Sequence, residues 1–427
     1  MSETVTSTRL ASRSVLVLGG GIVARCCAMR LQEQGYAVTL VAEPDATPPS
    51  WGNAGHIATE QVQVLARLSI ASRVVTDLFP RGPVALDWRN IQAWLPWSFR
   101  FLHACCPATV RQGDSALKSL LADALPAWKR LTETLGQPDL LDLQGIIKLW
   151  EGATAERNAI ASLQADSGTA IATRVEAGLI DTFNRALSSP VKAAVHFAGT
   201  AHITSPRDVL DRLLARFTLC GGVHLPAMAL NIDHTAKDVR VTTTAGDLVA
   251  DRVIVACGVR SGGLLPQVTV PLIAERGYHV EWDHGGGWTL PNVVFEDRAV
   301  VVTRFGPRLR ATSFVEFTRD ASSPDPRKWD RLEAHVRELG LPVASAFSRW
   351  HGSRPTLSDY LPALGTLHHT PRVVAAYGHN HLGLTLAPIT AELITTHLLH
   401  GTPLPTAFNP DRFSLSPLFS RNNKDSS

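Results

Sequence analysis

Short apolar runs and glycine turns alternate over the first forty residues of the chain. Residues 14–18 (SVLVL) are a continuous apolar run, which is typical of a buried parallel strand. Three glycines at 19–21 end this run, and apolar positions at helical spacing follow over 22–34, with Gly35 as the helix stop. Residues 37–41 (AVTLV) are the next predicted strand. This order predicts the βαβ unit of a doubly wound sheet.

Further elements of the same kind lie in the middle and at the end of the chain. Residues 239–244 and 248–255 are predicted strands around a tight turn. The segment 205–208 (SPRD) has the form of a capping box and predicts a helix start. A last strand over 372–377 leads through a glycine loop to a helix over 388–399. One doubly wound domain is therefore expected to take its elements from the beginning, middle and end of the chain. The intervening stretches are expected to form another layer.

Composition narrows the class of protein. The chain has 427 residues, 45% hydrophobic and 19% charged, which suits one large domain or two interlocked ones. The net charge of +3 is spread out, so no nucleic-acid surface is expected. Six cysteines without CxxC spacing predict buried free thiols, with no zinc site and no disulfide framework.

Targeting signals are not expected. The first dozen residues have no apolar core of a signal peptide, and the apolar stretch 15–29 contains three glycines and Arg25, which argues against a membrane span. The polar segment 420–427 predicts a disordered tail. A cytoplasmic protein is the expectation.

The first glycine turn carries a dinucleotide fingerprint, Gly-x-Gly-x-x-Ala, between a strand and a helix. Gly19 permits the tight turn, Gly21 lets the backbone approach a pyrophosphate, and Ala24 lets helix and strand pack closely. The phosphates would meet the free N–H groups of the helix start, at Ile22 and Val23. The motif predicts a bound dinucleotide; a merely glycine-rich turn is the alternative.

The acidic partner of the adenosine ribose is displaced from its usual position. That position falls on Ala42, and Glu43 follows one residue later. Glu43 is expected to reach the ribose from the strand end, and the alternative is a solvated turn residue before Pro44.

Four further segments resemble the D-amino-acid oxidase/dehydrogenase superfamily of FAD enzymes, which includes glycine oxidase-like proteins and bacterial D-amino-acid dehydrogenases. These segments are 50–57 (SWGNAGHI), 253–261 (VIVACGVRS), 352–355 (GSRP) followed by Asp359 and Pro362, and 378–385 (GHNHLGLT). They occur in the family's order, so the resemblance covers the chain from residue 14 to about residue 413. The region from about 100 to 190 carries almost no diagnostic motif.

The resemblance implies an α/β fold with an α+β second domain. A discontinuous, Rossmann-like FAD-binding domain would be interleaved with an antiparallel-sheet substrate domain that covers the flavin. The expected FAD-binding domain comprises 14–60, 195–270 and 345–413, the substrate domain 61–194 and 271–344, and the tails 1–13 and 414–427. Beyond the fingerprint and Glu43, the expected FAD-binding residues are Ser50, Asn53, Ala54, Gly55, His56, Ile57, Ala256, Gly258, Gly378, Gly383, Leu384 and Thr385.

The resemblance also supplies candidates at the substrate. Arg354 would fork onto the substrate carboxylate, and an internal ion-pair arginine is the alternative. The Tyr278 hydroxyl would bind the carboxylate or close the pocket, unless it is a core tyrosine. His381 is expected either to line the pocket or to be structural. His56 and His379 would contact flavin or backbone, and covalent flavin attachment through His56 is a further alternative.

The implied reaction is dehydrogenation of the Cα–N bond of a small D-amino acid. Hydride would pass to the flavin N5 atom, and the imino acid would hydrolyse to a 2-oxo acid and ammonia. Oxygen, a quinone or a carrier protein would take the electrons. The alternatives are oxidation of a secondary amine (D-hydroxyproline, sarcosine or an opine), a flavin subunit of an electron-transfer complex, and a nicotinamide dehydrogenase.

Five large aromatic residues lie close together in the chain: Trp88, Trp94, Trp97, Phe99 and Phe101. A buried helical face of the second domain is one interpretation. The other is a surface that docks on a partner or on the inner face of a membrane, since related dehydrogenases pass electrons to the respiratory chain.

Overall fold

The structure is a computed structural model, which describes residues 13–74, 76–235, 237–265 and 270–413. Residues 1–12 and the tail 420–427 lie outside the described residues. The helices of the described part are α1 Ile22–Glu33, α2 Leu68–Arg73, α3 Ile91–Ala104, α4 Pro107–Ala122, α5 Ala124–Thr134, α6 Ala155–Gln164, α7 Ala177–Ala186, α8 Pro206–Leu219, α9 Pro326–Glu338 and α10 Gly383–His400. The strands are β1 Ser14–Leu18, β2 Ala37–Ala42, β3 His56–Ile57, β4 Val84–Leu86, β5 Leu141–Asp142, β6 Ile146–Trp150, β7 Ile171–Arg174, β8 Ala193–Ala198, β9 Ala201–Ile203, β10 Val223–Pro226, β11 Ala229–His234, β12 Val239–Thr243, β13 Gly246–Ala250, β14 Arg252–Val255, β15 Leu272–Asp283, β16 Val293–Phe295, β17 Val300–Phe305, β18 Arg308–Thr318, β19 Ser348–Leu357, β20 Ala363–Leu367 and β21 Thr370–Tyr377.

The first sheet has the order β10-β2-β1-β14-β21-β20, with an antiparallel edge strand on five parallel strands. The predicted βαβ unit is confirmed, and α1 ends at Glu33, just before Gly35 at φ +83°. The helix predicted from the capping box is confirmed as α8, where the Ser205 hydroxyl accepts the Asp208 backbone N–H at 3.2 Å. A side-chain cap therefore places the start of α8, while glycines bound α1 on both sides.

The single strand predicted over 248–255 is wrong. The strand is interrupted at Asp251, whose carboxylate accepts the backbone N–H and the hydroxyl of Ser14 at 2.8 and 2.9 Å. Before this residue β13 pairs with β12 in a three-stranded antiparallel sheet, and after it β14 pairs with β1 in the first sheet. Two strands of different sheets thus meet at one anchored carboxylate.

The last helix begins five residues earlier than predicted. α10 starts at Gly383 and runs through Pro388, which cannot donate a hydrogen bond to the carbonyl of Leu384. The indole N–H of Trp128, on α5, donates to that carbonyl instead, at 3.1 Å. A side chain distant in sequence therefore lets the helix continue through its proline.

The second sheet has nine strands in the order β19-β15-β18-β17-β16-β6-β8-β7, with β4 beside β18. Its strand pairing corrects the predicted domain division in two places, because β8 and β19 belong to this sheet although 195–270 and 345–413 were assigned to the FAD-binding domain. The helices α3 to α5 correct it in a third, since their buried residues join the core that contains α1, α8 and α10. A separate core between the second sheet, α7 and α9 contains Tyr278.

The aromatic cluster divides between core and surface. Trp94, Trp97 and Phe101 of α3 are buried in the core shared with α1 and α10, whereas Trp88 and Phe99 are 64% and 61% exposed. The buried-face interpretation is confirmed for Trp94, Trp97 and Phe101, and docking by the exposed Trp88 and Phe99 stays a prediction.

One described helical segment, Asn380–His400, which consists of α10 and the turn before it, is long and apolar enough to cross a bilayer, but 67% of its apolar 18-residue window is buried inside the protein, as is typical of a core helix. The six cysteines are free, and Cys26, Cys27 and Cys105 are buried as expected. Cys106, in contrast, is exposed.

Candidate active site

The glycine turn between β1 and α1 contains two glycines with different reasons for being glycine. Gly19 has φ +123°, and a Cβ there would lie 2.3 Å from the carbonyl oxygen of Ala256. The fold itself therefore requires Gly19. A Cβ on Gly21 would meet only the Ser50 hydroxyl, at an ordinary 3.6 Å. The protein leaves room at Gly21, so a close approach there is available to a ligand.

The start of α1 faces this open space. Gly21 is the N-cap and makes no side-chain cap hydrogen bond, while the Ile22 N–H donates to the Ser50 hydroxyl at 3.1 Å. Ala24 is fully buried against the core, as expected for the residue that lets helix and strand pack closely. The other N–H groups of the first turn have no partner within the helix, and together with the partial positive charge of the helix start they are suited to a phosphate.

A cavity of about 480 Å³ extends from this turn to the second sheet. Segments far apart in the chain converge on it: 19–23, 46–50, 256–260, 353–355, 379–381 and residues 383–384. The predicted site residues that line it are Gly19, Gly21, Ile22, Val23, Glu43, Ser50, Asn53, Ala256, Gly258, Arg354, His381, Gly383 and Leu384. The predicted residues Ala24, Ala54, Gly55, His56, Ile57, Tyr278, Gly378 and Thr385 are not among its lining residues.

Glu43 lines the cavity just beyond β2, where a ribose partner was expected. One of its carboxylate oxygens is paired with the Arg260 guanidinium at 2.5 Å. This pairing raises the pKa of Arg260. Sequence reasoning missed Arg260, although it lies in the segment 253–261 that carries the family resemblance. The ribose role of Glu43 remains a prediction, and its second oxygen is the one available for it.

The loop of residues 51–54, here called the clamped loop, is held by side chains of the second sheet. Arg310 donates to the Asn53 carbonyl at 2.6 Å and to the Trp51 carbonyl at 3.3 Å. Thr303 donates to the Ala54 carbonyl at 2.9 Å. Three of the four backbone carbonyl groups of this loop are thereby bound by side chains of the second sheet.

His279 contributes the fourth contact, because its Nδ1 lies 3.0 Å from the Gly52 carbonyl oxygen. Burial, together with the charge of Arg310, lowers the pKa of His279 to about 3. The imidazole is therefore neutral, and the carbonyl partner selects the tautomer that carries its proton on Nδ1. Neither Arg310, Thr303 nor His279 was identified from the sequence.

Just beyond the clamped loop, residues 55–60 contact α10 and pack beside two histidines, His56 and His202. The Thr385 hydroxyl accepts the Ala58 N–H at 3.0 Å, which places Thr385 behind the cavity wall. The His56 Nε2 atom lies 3.0 Å from a Glu60 carboxylate oxygen. Gly55 has φ +81°, and a Cβ there would lie 2.5 Å from His202 Nε2. Gly55 is thus required by the packing of His202.

At the other end of the cavity, Arg354 and His381 lie together. Arg354 is on β19 and donates through Nη1 to Glu275 and to the Phe314 carbonyl, both at 3.2 Å. Burial lowers the pKa of His381, with Glu275 opposing the shift, so its imidazole is neutral near pH 7. Its buried Nδ1 has no hydrogen-bond partner in the described part of the chain. A cation and an unsatisfied polar atom therefore lie at one end of a mostly apolar cavity.

Tyr278 lies elsewhere, and its predicted place in the pocket is corrected. The side chain is fully buried in the core of the second sheet. Its hydroxyl donates to Glu316 at 2.5 Å and accepts the Asp325 N–H at 3.0 Å. Burial and the Glu316 carboxylate raise its pKa well above the usual range. The period of two along β15 places Tyr278 on the face opposite to Glu275 and His279.

His379 is a buried residue whose Nε2 lies 3.0 Å from the Thr390 hydroxyl. Burial lowers its pKa to about 4. A neutral, hydrogen-bonded imidazole at this position supports the fold of the loop before α10. The contact of His379 with flavin or backbone stays a prediction, because the partner found here is the side-chain hydroxyl of Thr390.

The residues around the cavity fit FAD. Gly21 offers a close approach at the open start of α1, where a pyrophosphate is stabilised. His381 lines the cavity, and its buried Nδ1 has no partner among the described residues; a buried polar atom of this kind calls for a ligand or water. Gly19, Gly21, Ile22, Val23 and Ser50 would hold the phosphates, and the segments at 256–260 and 379–384 would flank the ring system.

Comparisons with known proteins agree with this geometry. The family model described as FAD dependent oxidoreductase (DAO) matches residues 14–397. The chain is 29% identical to a D-amino-acid oxidase of Bradyrhizobium diazoefficiens over 94% of this chain and 99% of that protein. It is 25% identical to a D-amino acid dehydrogenase of Dechloromonas aromatica over 92% and 98%. The crystal structure of glycine oxidase from Geobacillus kaustophilus shares the fold, with a TM-score of 0.70, 17% identity and coverage of 94% and 99%.

Substitution of Gly21 by valine should yield a folded protein without flavin. The protein has space for the side chain, but the side chain would occupy the space in which the pyrophosphate meets α1. The measurement is the flavin-to-protein absorbance ratio, with circular dichroism for folding. Gly178→Val is the control, because Gly178 lies in α7 with an ordinary φ and no atom within 4 Å of its Cβ position. Full flavin occupancy in Gly21→Val would refute the assigned fingerprint.

Tyr278→Phe should lower stability and leave flavin reduction unchanged. The substitution removes the partner of both Glu316 and the Asp325 N–H in a buried core, at a cost of about 1–3 kcal/mol. Thermal unfolding and the rate of flavin reduction by substrate check the two halves of this expectation. Wild-type stability combined with altered reduction kinetics would return Tyr278 to the pocket.

Proposed function

The chain belongs to the family of FAD dependent oxidoreductases, and from this premise we propose that it dehydrogenates the Cα–N bond of a small D-amino acid. The coarser activity, that of an FAD-dependent amino-acid oxidoreductase, follows from the family and from relatives named D-amino-acid oxidase and D-amino acid dehydrogenase. Those two names support the D-configuration of the substrate. They also imply an electron acceptor, and we propose oxygen, a quinone or a carrier protein for that role.

The observation that carries the proposal is the state of Arg354 in the cavity. Two arginines line it, and Arg260 is paired with Glu43 at 2.5 Å. Arg354 uses only Nη1 within the described residues, which leaves Nε and Nη2 as donors on one edge of a planar cation. Two donors on one edge match the two oxygens of a carboxylate.

FAD, when bound, supplies the acceptor for the hydride that leaves the substrate Cα. The chain's own residues bind and orient. Arg354 would hold the carboxylate, and neutral His381 would offer Nδ1 to the substrate amine without adding a second cation. A hydride leaves without a strong base at the carbon, so the site needs positioning more than proton transfer. The imino acid formed would hydrolyse in water to a 2-oxo acid and ammonia.

Arg354→Ala should lower kcat/KM for the best D-amino acid by on the order of 10²–10³ or more. Loss of one member of a desolvated ion pair costs about 3–5 kcal/mol, and each 1.4 kcal/mol is tenfold. Arg354→Lys should recover only part, because an ammonium cannot make the two-pronged contact. The measurement is anaerobic flavin reduction, with the decarboxylated amine of the same substrate as the matched compound.

The same experiment distinguishes the alternatives. Equal slowing of amino acid and amine, or loss of flavin in the Arg354 variants, would contradict the carboxylate role. A screen of D- and L-amino acids, secondary amines and opines identifies the substrate class by which compounds bleach the flavin. A yellow protein that no amine bleaches would instead be a flavin subunit of an electron-transfer complex.

We further propose that the exposed face of α3 docks on an anionic membrane surface. Ile91, Leu95, Phe99 and Leu102 recur at spacings of four, four and three, and all are 39% or more exposed, as is Trp88 just before the helix. Residues 88–113 contain three arginines and no acidic residue. An apolar stripe with basic residues and no carboxylate is typical of a helix that lies in the membrane interface.

Phe99→Ser combined with Leu95→Ser should abolish binding to vesicles of phosphatidylcholine with phosphatidylglycerol. Loss of apolar area from the interface weakens binding, whereas vesicles of phosphatidylcholine alone should bind the wild type weakly. Co-sedimentation is the measurement, and Leu219→Ser is the control because Leu219 is 79% exposed on α8. Equal sedimentation of all variants with the vesicles would contradict membrane docking. So would a double variant that still binds vesicles but changes from dimer to monomer, because the face of α3 would then be an interface between two copies of the chain.

A further inference from the structure

A buried carboxylate lies directly behind the proposed substrate anchor. Glu275 is on β15 and is the cross-strand partner of Arg354 on β19. Only 3% of the residue is exposed, and it is not among the residues that line the cavity. One carboxylate oxygen accepts Arg354 Nη1 at 3.2 Å. The other accepts the hydroxyls of Thr356 and Tyr360, at 2.9 and 3.2 Å.

The carboxylate is therefore fixed on both sides. Hydroxyl groups of Thr356 and Tyr360 hold one oxygen, so the other oxygen has a defined position in relation to β19. The Phe314 carbonyl accepts from the same Arg354 nitrogen as Glu275 does. With two acceptors on Nη1, the guanidinium keeps Nε and Nη2 on its other edge.

A glycine makes this arrangement possible. Gly277 lies two residues beyond Glu275 on the same face of β15, and a Cβ there would lie 2.5 Å from Arg354 Nη2 and 2.9 Å from Cζ. Its cross-strand partner is also a glycine, Gly352. The guanidinium thus lies over bare backbone, in space that any side chain at 277 would fill.

We propose that Glu275 is a positioning residue that orients Arg354 and, as its counter-ion, limits how tightly the site binds a carboxylate. The inference rests on the proposed function of Arg354 as the carboxylate anchor. Glu275 does not touch the substrate in this role. It acts through the guanidinium, and its two contributions, orientation and charge, can be separated by two substitutions.

The charge contribution has a definite sign. Removing the carboxylate leaves Arg354 without its buried counter-ion, so the site gains positive charge and binds an anion more tightly. The orientation contribution has the opposite effect on turnover, because a guanidinium released from Glu275 holds the substrate less accurately. Glu275→Gln should therefore tighten carboxylate binding and slow flavin reduction. Glu275→Asp keeps the negative charge, but its shorter side chain moves the carboxylate oxygen away from Arg354. It should therefore slow flavin reduction and leave carboxylate binding unchanged.

The test uses the holoenzyme, with propionate as a carboxylate that has no amine. For Glu275→Gln, calorimetry should show a propionate Kd about tenfold lower than that of the wild type, and propionate should raise its unfolding temperature more. The limiting rate of anaerobic flavin reduction should fall about tenfold in both variants. For Glu275→Asp the propionate Kd should stay within about twofold of wild type.

The control is Glu316→Gln, which removes another buried carboxylate from the neighbouring strand, paired with Arg276 and Lys328. It should lower stability and leave the propionate Kd unchanged. A Glu275→Gln protein with an unchanged or higher propionate Kd would overturn the inference. If that variant does not fold, a Glu275→Asp protein that reduces flavin at the wild-type rate would overturn it.

Failure of the proposed function has a different signature. If no amino acid reduces the wild-type flavin, the dehydrogenation proposal fails, and the propionate titrations still report on Glu275 through Arg354. If amino acids reduce the wild-type flavin and the Glu275 variants match the wild type in both measurements, only the inference about Glu275 fails.

Discussion

The clamped loop imposes the constraint on which the relation between the two sheets depends. Its four carbonyl groups, at Trp51, Gly52, Asn53 and Ala54, need hydrogen bonds wherever water is excluded. Arg310, His279 and Thr303 supply them from the second sheet. A loop that follows the first sheet is thereby attached to the second sheet on one side, which leaves its other side available to the cavity.

The attachment needs charge compensation of its own. Arg310 is 5% exposed, and burial lowers its pKa. Glu281 opposes that shift through contacts of 2.6 and 2.8 Å, and Arg308 shares the same carboxylate. The ion pair and the clamped loop therefore form one unit. Breaking the pair would leave a buried charge next to the loop, so the cost would appear as loss of loop geometry as much as loss of stability.

The parts that could be predicted are those whose determinants are local in sequence. The strand-turn-helix at 14–34 and the cap at Ser205 depend on residues within a few positions of one another, and both predictions are confirmed. The start of α10 was missed because a tryptophan 256 positions away satisfies the carbonyl that Pro388 leaves free. Tyr278 was misplaced because a shift of one residue along β15 exchanges the cavity face for the core face.

The site shows the same division. Arg354, His381 and Ser50 were identified because family motifs carry them, and the structure places all three on one cavity. Their partners could not be found in that way. Glu275 becomes a neighbour of Arg354 only through the pairing of β15 with β19, across 79 residues, and Arg310 reaches the clamped loop across more than 250. Such pairings are set by strand register, which local patterns do not encode.

The buried pair also has a consequence for how the site would use its binding energy. Together, Arg354 and Glu275 contribute no net charge, and neutral His381 adds none. A substrate carboxylate therefore meets a cation whose charge is already partly offset, so it is bound by geometry more than by net attraction. Affinity that is equal for substrate and transition state lowers KM without raising kcat. Glu275 offsets the charge of Arg354, so the site gives up part of this uniform affinity. Glu275 also keeps the donor edge of Arg354 fixed, so the site retains the orientation on which hydride transfer depends.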